Sequence, residues 1–398
     1  MSGSLLQIVA QGSQDALLMD QTSLFHTVYR KHAPFAIQTV ECDVPAMDGV
    51  FGESMRITIP RKGDMLSKVY VQVSLKKQGT TYYPAQELLQ ETKLYIGSQT
   101  IDTITNDWMR IRGELFDSAD DRIAHRRLTD FADGEPDGAT KSFWVELPFF
   151  FSERAKALPL ISLQFHAVEL QFTFAKAVRG IDPSWKPEIK VWADFVYLAD
   201  EQRVQLTQNP QLLLVEQVQI EEDRVTMSES MQPTLNTVLY ARNPVKYMVW
   251  TVSPHDTFGT YSTGPPGDLA DAMDPLHTAL LTLNGHERTS RMPASYFNAL
   301  QPYVYTKGCP CAGIHFFSFA LDPRDRDSPS GSCNFSRIST AVLSQTFKKV
   351  KAAATAASEL AGNEMLGSGA AFDRVRIYSV AINFLRIEGG LGGMAFPS

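Results

Sequence analysis

The eight histidines and four cysteines are the residues of this 398-residue chain best suited to metal binding or nucleophilic chemistry. The histidines are His26, His32, His125, His166, His255, His277, His286 and His315. None stands in an HxH, HxxxH or HExxH spacing, the patterns that bring two imidazoles to one side of a strand or helix. A double-stranded β-helix metalloenzyme would supply a close His pair on a strand with an acidic ligand, and no such pair occurs. His166 falls in a strand-like stretch and reads as a packed or hydrogen-bonded histidine. Cys42, Cys309, Cys311 and Cys333 are too few for a disulfide scaffold. Cys309-Pro310-Cys311 is neither a CxxC redox pair nor a zinc half-site, and reads as a loop carrying free thiols. There is no GxSxG elbow, Walker loop or dinucleotide fingerprint. The glycines from Gly389 to Gly393 lack the Lys-Ser/Thr of a phosphate loop and read as a flexible C-terminal tail. Asn334-Phe335-Ser336 has the form of a glycosylation sequon, but cysteine usage gives no sign of a secretory compartment. The expectation is therefore no catalytic residue, no cofactor-binding residue, no metal ligand and no cofactor.

With no site to position, the elements themselves must carry the function. Net charge is -7, from 37 Lys plus Arg against 44 Asp plus Glu, which disfavours direct contact with nucleic acid. The length suits two domains of about 200 residues. Residues 1–9 lack a basic region followed by a long apolar run, so no signal peptide is expected. No window reaches 18 apolar residues free of charge, so no transmembrane span is expected.

One short pattern occurs twice. Leu94-Tyr95-Ile96-Gly97-Ser98-Gln99-Thr100-Ile101-Asp102 is followed by Trp108, and Leu281-Thr282-Leu283-Asn284-Gly285-His286-Glu287-Arg288 by Met292 and Tyr296. The glycines lie 188 residues apart (285 minus 97), close to half the chain. That spacing suggests two related domains in tandem. Val69, Val71, Val73 and Leu75 alternate with polar residues, as do Met55, Ile57 and Ile59, and a period of two marks half-buried strands. Further strands are expected over 162–174, with a bulge, and over 189–199, 212–220, 245–252, 315–321, 344–350 and 374–387. A helix is expected within 108–128. Residues 129–141 read as an exposed acidic loop, 200–211 as a linker, 253–275 as an outer loop and 351–371 as a partly helical insertion. No β-helix-β rhythm appears, so sheets packed face to face explain the alternation better than a doubly wound sheet. Residues 1–19 carry short apolar patches that need a surface from elsewhere. The basic knot Tyr29-Arg30-Lys31-His32 reads as a solvated helix end or as an anchor to an acidic partner.

Several stretches resemble the major capsid protein family of the nucleocytoplasmic large DNA viruses. Ala10-Gln11-Gly12-Ser13-Gln14-Asp15 resembles that family's A-x-G-x-Q-D, and Thr22 to Ala36 resembles its T-x-F-x-x-V-Y-R-R-H-x-x-F-A, with Lys31 at the second Arg position. Arg61-Lys62-Gly63-Asp64, Ile96 to Asp102, Leu158 to His166, Ser330 to Arg337 and Asn383 to Ile387 resemble further family segments, so the likeness spans both halves. It implies an all-β fold: a tandem double jelly roll of two eight-stranded antiparallel β-sandwiches with short helices and an N-terminal arm. The boundaries expected are 1–34 for the arm, 35–205 for the first roll and 206–398 for the second. The resemblance implies a structural protein rather than an enzyme. Its homotrimers would have a pseudo-hexagonal outline and tile an icosahedral shell in the virion capsid, assembled in the host cytoplasm. Implied partners are neighbouring capsomers and minor capsid proteins at the inner face, with peripheral proximity to an internal membrane and no direct nucleic acid. Two features depart from the pattern: the chain is compact, and the Ala/Gly-rich stretch 351–371 has no family counterpart. A minor or vertex capsid role, or a glycan-binding attachment jelly roll, is the alternative.

Overall fold

The computed structural model describes the chain from Ala33 to Phe396 apart from residues 48, 80, 133, 153–155, 227–230, 254–273, 307, 309, 312, 352–363 and 367–373. The described residues from Ala36 onward form one compact unit. The expectations for the arm, the basic knot, the outer loop and most of the Ala/Gly-rich insertion lie outside the described residues.

The first half forms β1 (Phe35–Cys42), β2 (Ser54–Thr58), β3 (Met65–Lys76), α1 (Pro84–Leu88), β4 (Glu91–Ile96), β5 (Gln99–Thr105), α2 (Asn106–Phe116), α3 (Ala119–Thr129), β6 (Thr140–Glu146), β7 (Val168–Thr173) and β8 (Ile189–Leu198). These strands make two four-stranded sheets, ordered β1-β8-β3-β6 and β2-β7-β4-β5. After α4 (Asp200–Gln208), the second half forms β9 (Gln211–Arg224), β10 (Thr234–Leu239), β11 (Pro244–Ser253), β12 (Leu276–Leu283), β13 (His286–Glu287) and β14 (Met292–Pro293). A helical segment over 296–305 ends in α5 (Gln301–Tyr305). Then come β15 (Ile314–Ser318), β16 (Cys333–Asn334), β17 (Ala341–Phe347), β18 (Lys349–Lys351), β19 (Glu364–Leu366), β20 (Arg374–Glu388) and β21 (Leu391–Met394).

In the second half β9 pairs β20, and β20, β11 and β15 follow in order, giving β9-β20-β11-β15 opposite β10-β17-β12-β13. Numbered from the start of each half, with β13 and β14 together in fifth place and the short strands β16, β18 and β19 left out, both sheets repeat the first half's order: strands 1-8-3-6 on one side and 2-7-4-5 on the other. Strand pairing is antiparallel throughout both sandwiches. Sheets that alternate partners this way are jelly rolls, and the chain contains two.

Periodicity explains why the strands form. In β3, Val69, Val71, Val73 and Leu75 are buried, while Lys68, Tyr70, Gln72 and Ser74 face away. Each such side chain contributes about 1.5–3 kcal/mol by leaving water. A one-residue slip would turn the whole set outward, so the register is fixed.

The two repeated glycines occupy the same place, the turn between the fourth and fifth strands of each roll. Asn284 and Gly285 both have positive φ, 51° and 79°, as a type I′ hairpin requires. At the other turn only Gly97 is positive, at 63°, and a Cβ there would lie 2.9 Å from the His166 ring. A Cβ on Gly285 would meet nothing within 4 Å. Gly285→Ala is thus expected to cost about 1–2 kcal/mol, the left-handed penalty alone. Gly97→Ala is expected to cost more, because the ring must also move; paired urea melts check the ranking.

Several local expectations change. The stretch 162–174 is not one long strand: Leu160–Ser162 is a 3-10 turn and β7 begins only at Val168. Leu158 makes only an isolated bridge with Leu66, and Pro159, Leu160 and Leu163 are buried without joining a strand. Residues 129–131 are buried rather than exposed, with Phe131 edge-on to Phe143 at 4.9 Å. The linker contains α4, a polar helix with no buried residue. The glycine tail is no loose end: Gly389 and Gly390, with φ of 61° and 82°, turn the chain so that β21 pairs with β20.

Candidate assembly seam

The most heavily built polar and aromatic cluster lies where the two rolls meet. It is organised by α2. Thr105 caps this helix by accepting from the Trp108 amide at 3.3 Å, and Asp107 stands in its first turn, where the helix dipole favours an anion. Trp108 stacks on Tyr378 at 5.4 Å and on Tyr247 at 6.5 Å, and Phe116 tilts against Tyr247 and meets Phe316 edge-on. Those partners lie on β20, β11 and β15, on the outward side of the second roll's larger sheet. The opposite side of the same sheet, with Met248, Trp250 and Ile377, fills the second roll's own core. Val249, Phe316, Tyr378 and Val380 instead join the apolar core of the first roll. One hydrophobic core therefore runs across both rolls.

Ion pairs cross this seam from Asp107 and Lys156, and others line its second-roll side. Asp107 accepts from Arg376 at 2.6 Å and from Arg374 at 3.4 Å, and Arg376 also reaches Glu222 at 2.8 Å. Glu216 accepts from Lys246 at 2.6 Å and from Arg326 at 2.7 Å, with Lys246 wholly buried. Lys156 of the first roll reaches the Arg326 carbonyl and, at 3.3 Å, Asp327. Burial pushes the Glu216 carboxyl up, but Arg326 and Lys246 outweigh it and hold the group below its ordinary value. Its share of stability is present at neutral pH and is lost as acid protonates it.

The C-terminal hairpin adds a second line of contact. Met394 donates its amide to Gln99 at 3.0 Å, and Phe165 donates to the Gly390 carbonyl at 3.0 Å. His166 Nδ1 lies 3.0 Å from the Gly392 carbonyl and 3.2 Å from its amide, so either tautomer makes one hydrogen bond there. The expectation of a hydrogen-bonded His166 holds. Gln217 donates to the Ile101 carbonyl at 2.6 Å, and the Cys311 amide donates to Glu114 at 2.8 Å.

A cavity of about 230 Å³ lies along the seam, lined among others by Asp102, Trp108, Arg112, Glu216, Tyr247 and Arg326. Burial pushes the Asp102 carboxyl up to about 7, partly offset by the Thr103 amide and Arg326. Between the ordinary carboxylate range and pH 7 the folded state holds a proton that the unfolded chain has released. Stability from this group is full at low pH and falls as pH rises through 7. Asp102→Asn is expected to raise the melting temperature at pH 8 and leave it nearly unchanged at pH 4; calorimetry at both values checks this.

Elsewhere, His315 is buried with Nε2 3.0 Å from both Asp274 oxygens, and it stacks on Trp250 at 5.7 Å. It pins the start of β15 to Asp274, two residues before β12. Cys42 and Cys311 are buried free thiols, and Cys333 is half-buried. Cys309 lies outside the described residues. Among the described residues, no group of three or more His, Cys, Asp or Glu is placed to hold a metal. Inspection of motifs does not reveal the seam residues. The one local signal is Lys246, a charge inside β11, where nearly every residue is buried.

Two jelly rolls of equal strand order fused through a common core define a double jelly-roll capsid protein. Comparison with known proteins makes the assignment definite. A model of the major capsid protein N-terminus matches residues 23–199, and a model of the large eukaryotic DNA virus major capsid protein matches residues 202–393. The chain is 37% identical to the major capsid protein of Paramecium bursaria Chlorella virus 1 and 29% identical to that of Pyramimonas orientalis virus, with full coverage of both chains each time. A quasi-atomic model of the capsid of Paramecium bursaria Chlorella virus 1 superposes with a TM-score of 0.90 at 35% identity, over 94% of this chain and all of that one. The Faustovirus major capsid protein shares the fold alone, with a TM-score of 0.68 at 12% identity over 97% of this chain and 96% of that one. The chain belongs to the major capsid protein family of large eukaryotic DNA viruses. It is a structural protein of the virion shell and not an enzyme.

Proposed function

We propose that three copies of this chain form a pseudo-hexagonal capsomer. The single observation carrying this reading is the duplicated strand order, joined by a continuous core into one unit. Two similar rolls per chain give six similar columns in a ring of three, which suits a lattice site with six neighbours. We take 35–205 and 206–398 as the two rolls and 1–34 as an arm. The arm reaches minor capsid proteins at the inner face, near an internal membrane, and the outer rim meets neighbouring capsomers. Assembly takes place in the host cytoplasm, without direct contact to nucleic acid. In this reading the chain carries no catalytic, cofactor or metal residue.

Native mass measurement with electron microscopy of the purified protein tests the proposal. The expected result is a trimer with a six-lobed outline; a monomer at every concentration would remove the capsomer reading. Deletion of residues 1–21 is expected to leave the circular dichroism spectrum and melting temperature unchanged while reducing shell assembly. Loss of folding would place the arm in the core instead.

A further inference from the structure

The seam within the chain has a topological counterpart that is left half-made. In the first roll, α2 follows the fifth strand and covers the outward face of the second roll's larger sheet. In the second roll, the segment 296–305 follows β14 and precedes β15, the same place in the strand order. Tyr296 stands 11 residues after Gly285 (296 minus 285), as Trp108 stands 11 after Gly97 (108 minus 97). One side of the segment is anchored: Phe297 packs edge-on to Trp250 at 5.0 Å, and the Asn298 amide donates to the Cys311 and Ile314 carbonyls at 3.1 and 2.9 Å. The other side carries Leu300, Tyr303 and Val304, at i, i+3 and i+4, with exposures of 50, 77 and 55%. That is an apolar stripe facing water.

The first roll's β1-β8-β3-β6 sheet carries the matching face. Its outward side presents Tyr70, Trp144 and Trp192 from its third, sixth and eighth strands. The second roll draws Tyr247, Phe316 and Tyr378 from those same strands. Tyr70 meets Trp144 at 6.5 Å and Trp144 meets Trp192 at 5.9 Å. Ile37 on β1 is 56% exposed. The second roll's set is buried by α2. The first roll's set is only half-buried and stands outside both apolar cores of the described residues.

We infer that the stripe Leu300–Tyr303–Val304 of one copy seats on the Tyr70–Trp144–Trp192 face of a second copy. This rests on the trimer reading and continues the interface already made inside the chain. Each intermolecular contact repeats the internal one with the two rolls exchanged. A helix from one roll on the sheet of the next is a head-to-tail contact, which closes into a ring when the rotation between copies completes a circle. Leu300, Tyr303 and Val304 are free of that role within a single copy, which is why they face solvent.

The test is native mass measurement of the full-length protein, the Tyr303→Asp/Val304→Asp variant, and Leu321→Asp as a control at another exposed apolar residue. The double variant is expected to keep its melting temperature and to need at least roughly tenfold higher concentration to form trimers, while the control behaves as wild type. A wild-type trimer with an equally stable double-variant trimer overturns this inference and leaves the trimer reading intact. A wild type that never leaves the monomer removes both. A second measurement needs no loss of the contact: Tyr303→p-benzoylphenylalanine, mixed with isotope-labelled wild type and irradiated. Cross-links to labelled peptides within 65–76, 140–146 or 189–198 are expected. Cross-links confined to other peptides overturn the assignment, whatever the double variant does.

Discussion

Glu216→Gln is expected to destabilise the protein by about 3–5 kcal/mol, the cost of leaving a buried cation without its counter-charge. The native carboxylate holds two cations, Lys246 at 2.6 Å and Arg326 at 2.7 Å. A Gln side chain of the same size can accept from only one of them, and its amide nitrogen then faces the other donor. Lys246 retains only the Asp325 carbonyl at 2.5 Å and has no exposed surface through which to hydrate. Glu216→Gln combined with Lys246→Met removes the orphaned charge and is expected to recover part of the loss. Denaturant melts of the three proteins measure both quantities. A single-variant loss below about 1 kcal/mol would show that water reaches the site. Because Glu216 is held below its ordinary value, wild type is expected to lose this contribution as acid protonates the carboxylate, and the Gln variant has none to lose.

Trp108→Ala is expected to cost about 3–5 kcal/mol, the range for removing a buried large aromatic. Trp108 is 4% exposed and spans the seam, resting on Tyr378 and Tyr247 of the other roll. The loss should therefore fall on the contact between rolls rather than on either sandwich. Hydrogen exchange distinguishes the two cases. Faster exchange in α2 and along β20, with β3 and β12 still protected, is the expected pattern. Uniform acceleration would mean that the rolls unfold as one unit even when their contact is weakened. On the proposed trimer reading, trimer formation weakens in parallel, because that capsomer needs both rolls held in fixed relation.

These two substitutions mark where reading along the chain stops. The alternation in β2 and β3 is local: each residue's neighbours two positions away report its face, so these strands are readable. The Gly turns were readable for the same reason, since positive φ selects Gly or Asn. The stretch 162–174 reads as one strand because an apolar run looks alike whether it pairs in a sheet or turns before the strand begins. The glycine run near the C-terminus was misread because Gly-Gly serves a type I′ turn as well as a loose tail. Only β20, lying beside it in space, distinguishes the two.

Composition and period alone thus established two all-β halves without a metal or nucleophile pattern, and the family motifs established what kind of shell they build. The seam followed from neither. Asp107 meets Arg376 across 269 residues, and Glu216 meets Arg326 across 110. No spacing rule spans such distances. A carboxylate in an ordinary helix start becomes one half of a buried pair only when folding brings β20 against α2. The two outward sheet faces are alike in period and in aromatic content. One is buried and the other half-buried because α2 covers the first, and among the described residues no helix covers the second.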